Sequence, residues 1–143
     1  MSHLQSKNAA LFVYLAWGTR DGQPVLDCDQ VRQAAFLAIM IRTRSHFCQV
    51  LAIDGTAGRI HLIVRFPPSL SISSVARIAQ EASSEAIARQ TETVSGHLII
   101  PERLWEKDFL THTLPQTDAD GAKTYLQRQI AAEKASKLSF CRA

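Results

Sequence analysis

Apolar and polar residues alternate along the chain in two rhythms, one of strands and one of helices. "ALFVYLAWGT" (10–19) is an unbroken apolar and aromatic run closed by Gly18, the pattern of a central strand. "RDGQPVL" follows with Asp-Gly and proline turn chemistry. In "QVRQAAFLAIMIRTRS" the residues Val31, Ala34, Ala35, Ala38 and Ile39 recur at helical spacing before an arginine-rich end, and Asp27 or Asp29 is placed to cap it. "FCQVLAID" (47–54) and "RIHLIVRF" (59–66) read as the two strands of a hairpin linked by "GTAG". Two prolines end the second strand, and Ser71 or Ser73 stands ready to cap the helix "SISSVARIAQEASSEAIARQ". "TETVSGHLIIPE" reads as a loop and "LWEKDFLTHTL" (104–114) as a short last strand ended by Pro115. "QTDADGAKTYLQRQIAAEKASKL" reads as a helix capped by Thr117 or Asp118, with Ala122, Tyr125, Leu126, Gln129 and Ile130 on one side.

The order β-α-β-β-α-β-α is an α+β, ferredoxin-like antiparallel sheet with an added C-terminal helix. At 143 residues the chain suits one domain. We place it at 10–135, between an N-terminal tail at 1–9 and a C-terminal tail at 136–143. An apolar fraction of 46% with 20% charged residues excludes wholesale disorder. No apolar stretch is long enough for a membrane span and the start carries no signal-peptide pattern, so a cytoplasmic protein is expected. Cys28, Cys48 and Cys141 are widely spaced and odd in number, which points to reduced thiols. The net charge of +3 permits a polyanionic partner without requiring one. Residues 1–75 hold seven Lys/Arg against four Asp/Glu, while the remainder holds nine against nine. A basic surface would therefore be built from Arg20, Arg42, Arg44, Arg59 and Arg65.

Two pairs of side chains then stand out. In a strand, residues i and i+2 share a face, so Arg59 and His61 in "GRIHLIVRFPP" point the same way. On a helix, residues i and i+4 are neighbours, so Tyr125 and Gln129 in "TYLQRQ" also point the same way. Taken singly, such a histidine is most often a satisfied structural residue and such a tyrosine most often core packing. In sequence, "GRIHLIVRFPPSLSISSVARIAQEASS", "LWEKDFLTHTL" and "KTYLQRQ" resemble the HUH single-tyrosine transposases of the smallest bacterial insertion sequences, including the repeat-associated tyrosine transposases. The resemblance runs from about "YLAWGTRDGQPVL" to Gln129.

The resemblance implies a homodimer acting on single-stranded or hairpin DNA, with a His-hydrophobic-His strand and a tyrosine helix that together hold Mg or Mn. His61 matches the second histidine, Tyr125 the nucleophile and Gln129 the third metal ligand, while Arg59 stands where the first histidine should be. A guanidinium is a permanent cation with no lone pair to offer a metal. Three readings follow. The protein cleaves and rejoins DNA through a 5'-phosphotyrosine, with impaired activity; or it is an inactive, domesticated DNA-binding protein; or it is a ferredoxin-like dimer of unrelated role. Arg20, Arg42, Arg44 and Arg65 are the candidate DNA contacts, and Arg59 either repels the metal or meets the phosphate itself. His112, expected on a strand not adjacent to that of His61, is a weak substitute ligand, as are His46 and Asp54. His3 and His97 read as solvated, and Trp17 and Trp105 as core.

Overall fold

The computed structural model describes residues 10–142, with side chains to residue 136. The element order is β1 (Leu11–Gly18), α1 (Asp29–Arg44), β2 (Gln49–Thr56), β3 (Arg59–Phe66), α2 (Ile72–Ser95), β4 (Leu110–Leu114) and α3 (Ala119–Arg142). The strands form one antiparallel sheet in the order β2-β3-β1-β4, the ferredoxin-like arrangement expected from the sequence. The expected tail at 1–9 lies outside the described residues, and α3 continues through the segment expected as a C-terminal tail, as far as Arg142.

The sheet sorts its side chains by strand alternation. One face presents Val13, Leu15 and Trp17 from β1 and Ile60, Leu62, Val64 and Phe66 from β3, packed under Val31, Ala35 and Ile39 of α1 and Val75, Ala79 and Ile87 of α2. The other presents Tyr14, Ala16 and Ile63, covered by Ala122, Leu126 and Ile130 of α3. Both faces of β1 are thus buried, which is why its sequence reads as a continuous apolar run rather than an alternating one. On β2 the register shifts between Val50 and Ala52, and both Leu51 and Ala52 pack toward α3. A bulge there gives the outer strand one extra apolar contact with that helix.

Several boundaries differ from the expected ones for local reasons. The N-cap of α1 is Cys28, with no side-chain cap bond, while Asp29 sits in the first turn and pairs with Arg32. The hairpin is tighter than "GTAG" suggests: β2 runs to Thr56, leaving Ala57 and Gly58 as the turn. Gly55 is required there, because a Cβ would stand 2.5 Å from the carbonyl oxygen of Arg59. Ser71 caps α2 by accepting from the backbone N–H of Ser74, as expected, but the helix runs on to Ser95. It stops at Gly96, whose φ of 70° is a left-handed helix end that glycine adopts without strain. Of the stretch 104–114, only Leu110–Leu114 is strand. Trp105 instead forms an isolated bridge to Thr19, packs edge-on to Trp17 and donates from its indole to the carbonyl of Gln80. Both tryptophans are core, as the sequence suggested. Asp118 accepts from the backbone N–H of Gly121 at 2.7 Å and opens α3.

The hold of α3 on the sheet rests on a narrow stripe of small and branched apolar residues. Leu126 is 2% exposed at the centre of that stripe. Leu126→Ala is expected to cost about 2–5 kcal/mol of stability, read as a lowered urea midpoint with an unchanged slope.

Candidate functional site

The site lies on the face of the sheet that α3 crosses. Cross-strand partners share a face, so pairing of Ala16 with His61, Asp54 with His61 and Tyr14 with His112 brings all of these to the same side. Arg59 joins them by strand alternation from His61. The helix contributes Tyr125, Gln129 and Glu133, one turn apart along its inner edge. The four residues singled out by their spacing, Arg59, His61, Tyr125 and Gln129, therefore come together on one face within a single chain.

His61 is at the centre of a hydrogen-bonded chain. It is 2% exposed, and its Nε2 lies 3.0 Å from Oε1 of Glu133, while its Nδ1 lies 2.8 Å from the hydroxyl of Tyr14. A carboxylate only accepts, so Nε2 carries the hydrogen and donates to Glu133. The lone pair left on Nδ1 accepts the O–H of Tyr14. Burial pushes the His61 pKa below its usual value, outweighing the hydrogen bond and charge of Glu133; Arg59 pushes the same way as burial. Burial also pushes the Tyr14 phenol up to about 12, which keeps it a donor at neutral pH. The same oxygen of Glu133 lies 3.5 Å from Nε of Arg59, closing the chain Tyr14–His61–Glu133–Arg59.

Tyr125 approaches from the helix. Its ring packs edge-on against Tyr14, with centroids 5.5 Å apart and planes at 66°. Tyr14 also lies 5.5 Å from the ring of His112 and 5.9 Å from that of His61. It is the hub around which three other rings gather. Tyr125 and Gln129 are half-buried, and among the described residues neither has a hydrogen-bond partner for its polar end. The helix thus offers a phenol and a carboxamide to an incoming molecule, while the strand's imidazole is buried and its partly exposed guanidinium pairs with Glu133.

These donors do not fit a divalent ion of the kind the family resemblance implies. An imidazole binds metal through a lone pair; while Nε2 of His61 donates to Glu133 its lone pair is on Nδ1 and faces Tyr14, so an ion at Nε2 requires the other tautomer. Arg59 brings a fixed positive charge to the position of the other imidazole. Among the described residues no group of three or more His, Cys, Asp or Glu side chains is arranged to hold a metal.

The remaining candidates are dispersed. Arg65 is exposed on the same sheet face as His61. Arg42 is on α1, on the other side of the sheet, where it pairs with Glu85 at 3.1 Å. Arg44 lines a groove at the end of α1 with Leu37, Met40 and Phe47, and Arg20 lines another with Gln80, Glu81 and Trp105. Arg20, Arg42 and Arg44 do not make one continuous track with Arg59. His112 is on the site's face, though its strand is separated from that of His61 by β1, as expected. Asp54 lies opposite His61 and binds the N–H of Gly55. Sequence reasoning did not single out Tyr14 or Glu133. Tyr14 was hidden in an apolar run, whereas the spacing Tyr125, Gln129, Glu133 carried a readable signal for Glu133.

A histidine whose folded pKa lies below its unfolded value destabilises the fold as it is forced to take a proton. The stability it supports is therefore present above about pH 6.5 and is lost as pH falls toward the lowered folded value. Urea denaturation between pH 7.5 and 4.5 should show this loss, with a slope of up to about 1.4 kcal/mol per pH unit. In His61→Gln that component should disappear.

The sequence matches the protein family described as "Transposase IS200 like" over residues 10–129. No curated protein matches it. Among solved structures, it is similar to a protein named as a putative transposase of Deinococcus radiodurans R1, with a TM-score of 0.62, 20% identity, and coverage of 87% of this chain and 90% of the other. It is also similar to a REP-associated tyrosine transposase solved bound to a REP hairpin, with a TM-score of 0.53, 17% identity, and coverage of 75% of this chain and 58% of that one. These similarities share the sheet and helix arrangement described above, and the family match spans β1 through Gln129: the chain belongs to the IS200-like transposase family.

Proposed function

We propose that the protein binds single-stranded or hairpin DNA on the sheet face crossed by α3, as a homodimer, and that its tyrosine-dependent strand cleavage is lost or greatly reduced. Family membership and a neighbour solved with a REP hairpin support the DNA partner. So does the presence on one face of Arg59 and Arg65, with the exposed Lys123 and Arg128 on α3. Phosphate binding depends on distributed positive charge and tolerates the change of one residue better than catalysis does. Among the described residues no helix is long and apolar enough to cross a membrane.

The observation that carries the reading is the closed chain Tyr14–His61–Glu133–Arg59. In tyrosine-mediated cleavage the phenol oxygen of Tyr125 would bond to a backbone phosphorus as the 3'-oxygen leaves, giving a 5'-phosphotyrosine and a free 3'-hydroxyl. A protonated phenol attacks poorly unless a base takes its proton and the phosphate's developing charge is balanced. His61 has no free nitrogen with which to take that proton, and the guanidinium of Arg59 is engaged by Glu133. Tyr125 and Gln129 remain available to touch DNA. The chemistry around them is not poised to cut it. A second reading keeps slow cleavage with Arg59 as the phosphate-binding electrophile; it is favoured by the 34% exposure of that side chain.

The test uses labelled single strands and hairpins from the gene's own flanks, incubated with Mg or Mn. The expected result is a retarded complex that weakens as salt rises, equal in wild type and Tyr125→Phe, with no covalent adduct. A tyrosine-dependent adduct would establish the second reading instead. Absence of binding even at low salt would overturn the DNA reading altogether, since phosphate contacts are strongest there. Light scattering of the free protein should give twice the monomer mass.

A further inference from the structure

A carboxylate buried between a helix and a sheet is costly unless cations and N–H donors answer it. Here the carboxylate comes from the far end of the chain. Glu133, whose side chain is 11% exposed, directs one oxygen at both of the polar side chains that β3 presents to the helix, His61 at 3.0 Å and Arg59 at 3.5 Å. It lies four residues beyond Gln129 and eight beyond Tyr125, so it belongs to the same edge of α3 that carries the tyrosine. A junction between a two-imidazole strand and a carboxamide helix would have inward-pointing lone pairs and a cation at the centre. Here the polarity is reversed: the strand offers N–H donors and the centre is a carboxylate.

We propose that Glu133 is the positioning residue of this site, an anion standing in for a divalent cation, and that Arg59 and Glu133 form one compensated unit that fixes the tyrosine helix on the sheet without metal. The carboxylate satisfies Arg59, sets the tautomer of His61 and thereby directs the hydroxyl of Tyr14, against which Tyr125 packs. Three consequences follow. The wild-type junction takes no divalent ion. Replacing both charges harms the fold less than the sum of replacing each alone. Changing Arg59 to histidine leaves two imidazoles and a carboxylate facing each other, a donor set suited to Mn2+. The inference rests on the junction's geometry alone and involves no DNA, so its failure is distinct from failure of the DNA-binding reading.

The experiment is a Mn2+ titration followed by electron paramagnetic resonance, with thermal unfolding in the presence and absence of Mn2+. It uses the full chain as wild type, Arg59→His, and Arg59→His with Glu133→Gln. Wild type should leave the free-ion signal unchanged. Arg59→His should remove Mn2+ from that signal stoichiometrically and gain Tm with the ion, and adding Glu133→Gln should weaken this binding about tenfold or more. The inference is overturned if wild type binds Mn2+ and His61→Ala abolishes that binding. It is equally overturned if folded Arg59→His ignores the ion, or if the double variant binds as tightly as the single one. Should Arg59→His fail to fold, the cycle of Arg59→Gln, Glu133→Gln and their combination takes its place: Tm losses that are smaller in the double than their sum support the unit, and additive losses refute it.

Discussion

A single buried imidazole joins the two halves of this molecule. His61 is on β3, accepts from Tyr14 on β1 and donates to Glu133 on α3, so one ring ties two strands to the C-terminal helix. Such a ring has only two places for hydrogen bonds, and both are used. Its burial favours the neutral form, and the neutral form has one donor and one acceptor, matching the carboxylate on one side and the phenol on the other. Arg59 then completes the charge balance at the surface end of the chain. The properties of the site follow from this: the strand's imidazole is buried with both nitrogens bonded, its guanidinium pairs with Glu133, and the helix's half-buried tyrosine and carboxamide have no hydrogen-bond partner among the described residues.

The scaffold explains how so few residues hold this arrangement. With α1 and α2 on one face and α3 on the other, the central strands are covered twice, and the second face is the smaller one. Its apolar part is little more than Ala122, Leu126 and Ile130 against Tyr14, Ala16 and Ile63. The polar chain and the ring cluster about Tyr14 therefore share with a modest apolar stripe the task of fixing α3. That combination couples the helix's position to the chemistry of the site more tightly than a large apolar interface would.

The sequence disclosed the order of strands and helices along the chain, the sharing of a face by Arg59 and His61, and the placement of Tyr125 and Gln129 on one edge of a helix, because all of these depend on short periodicities. Its helix ends were less legible. Gly96 ends α2 by its left-handed backbone rather than by composition, so "TETVS" reads as loop in sequence and is helix in the fold. The last strand is short because Trp105 is drawn to Thr19, Trp17 and Gln80, contacts that no local pattern announces. Tyr14 was illegible for a different reason. In a strand buried on both faces, a tyrosine looks like any other large residue until its cross-strand partners are known. The four basic residues Arg20, Arg42, Arg44 and Arg65 show the converse limit, since sequence proximity to an arginine-rich half says nothing about which side of the sheet each will occupy.

The claim at the centre of this account is that both nitrogens of His61 are held internally, Nε2 as donor and Nδ1 as acceptor. Long-range 15N–1H correlation spectra of imidazole-labelled protein report that state directly. At neutral pH the account predicts a single neutral His61 tautomer protonated at Nε2, whose Nδ1 shift moves in Tyr14→Phe. A ring protonated at Nδ1, or one averaging rapidly between tautomers as in free histidine, would contradict it.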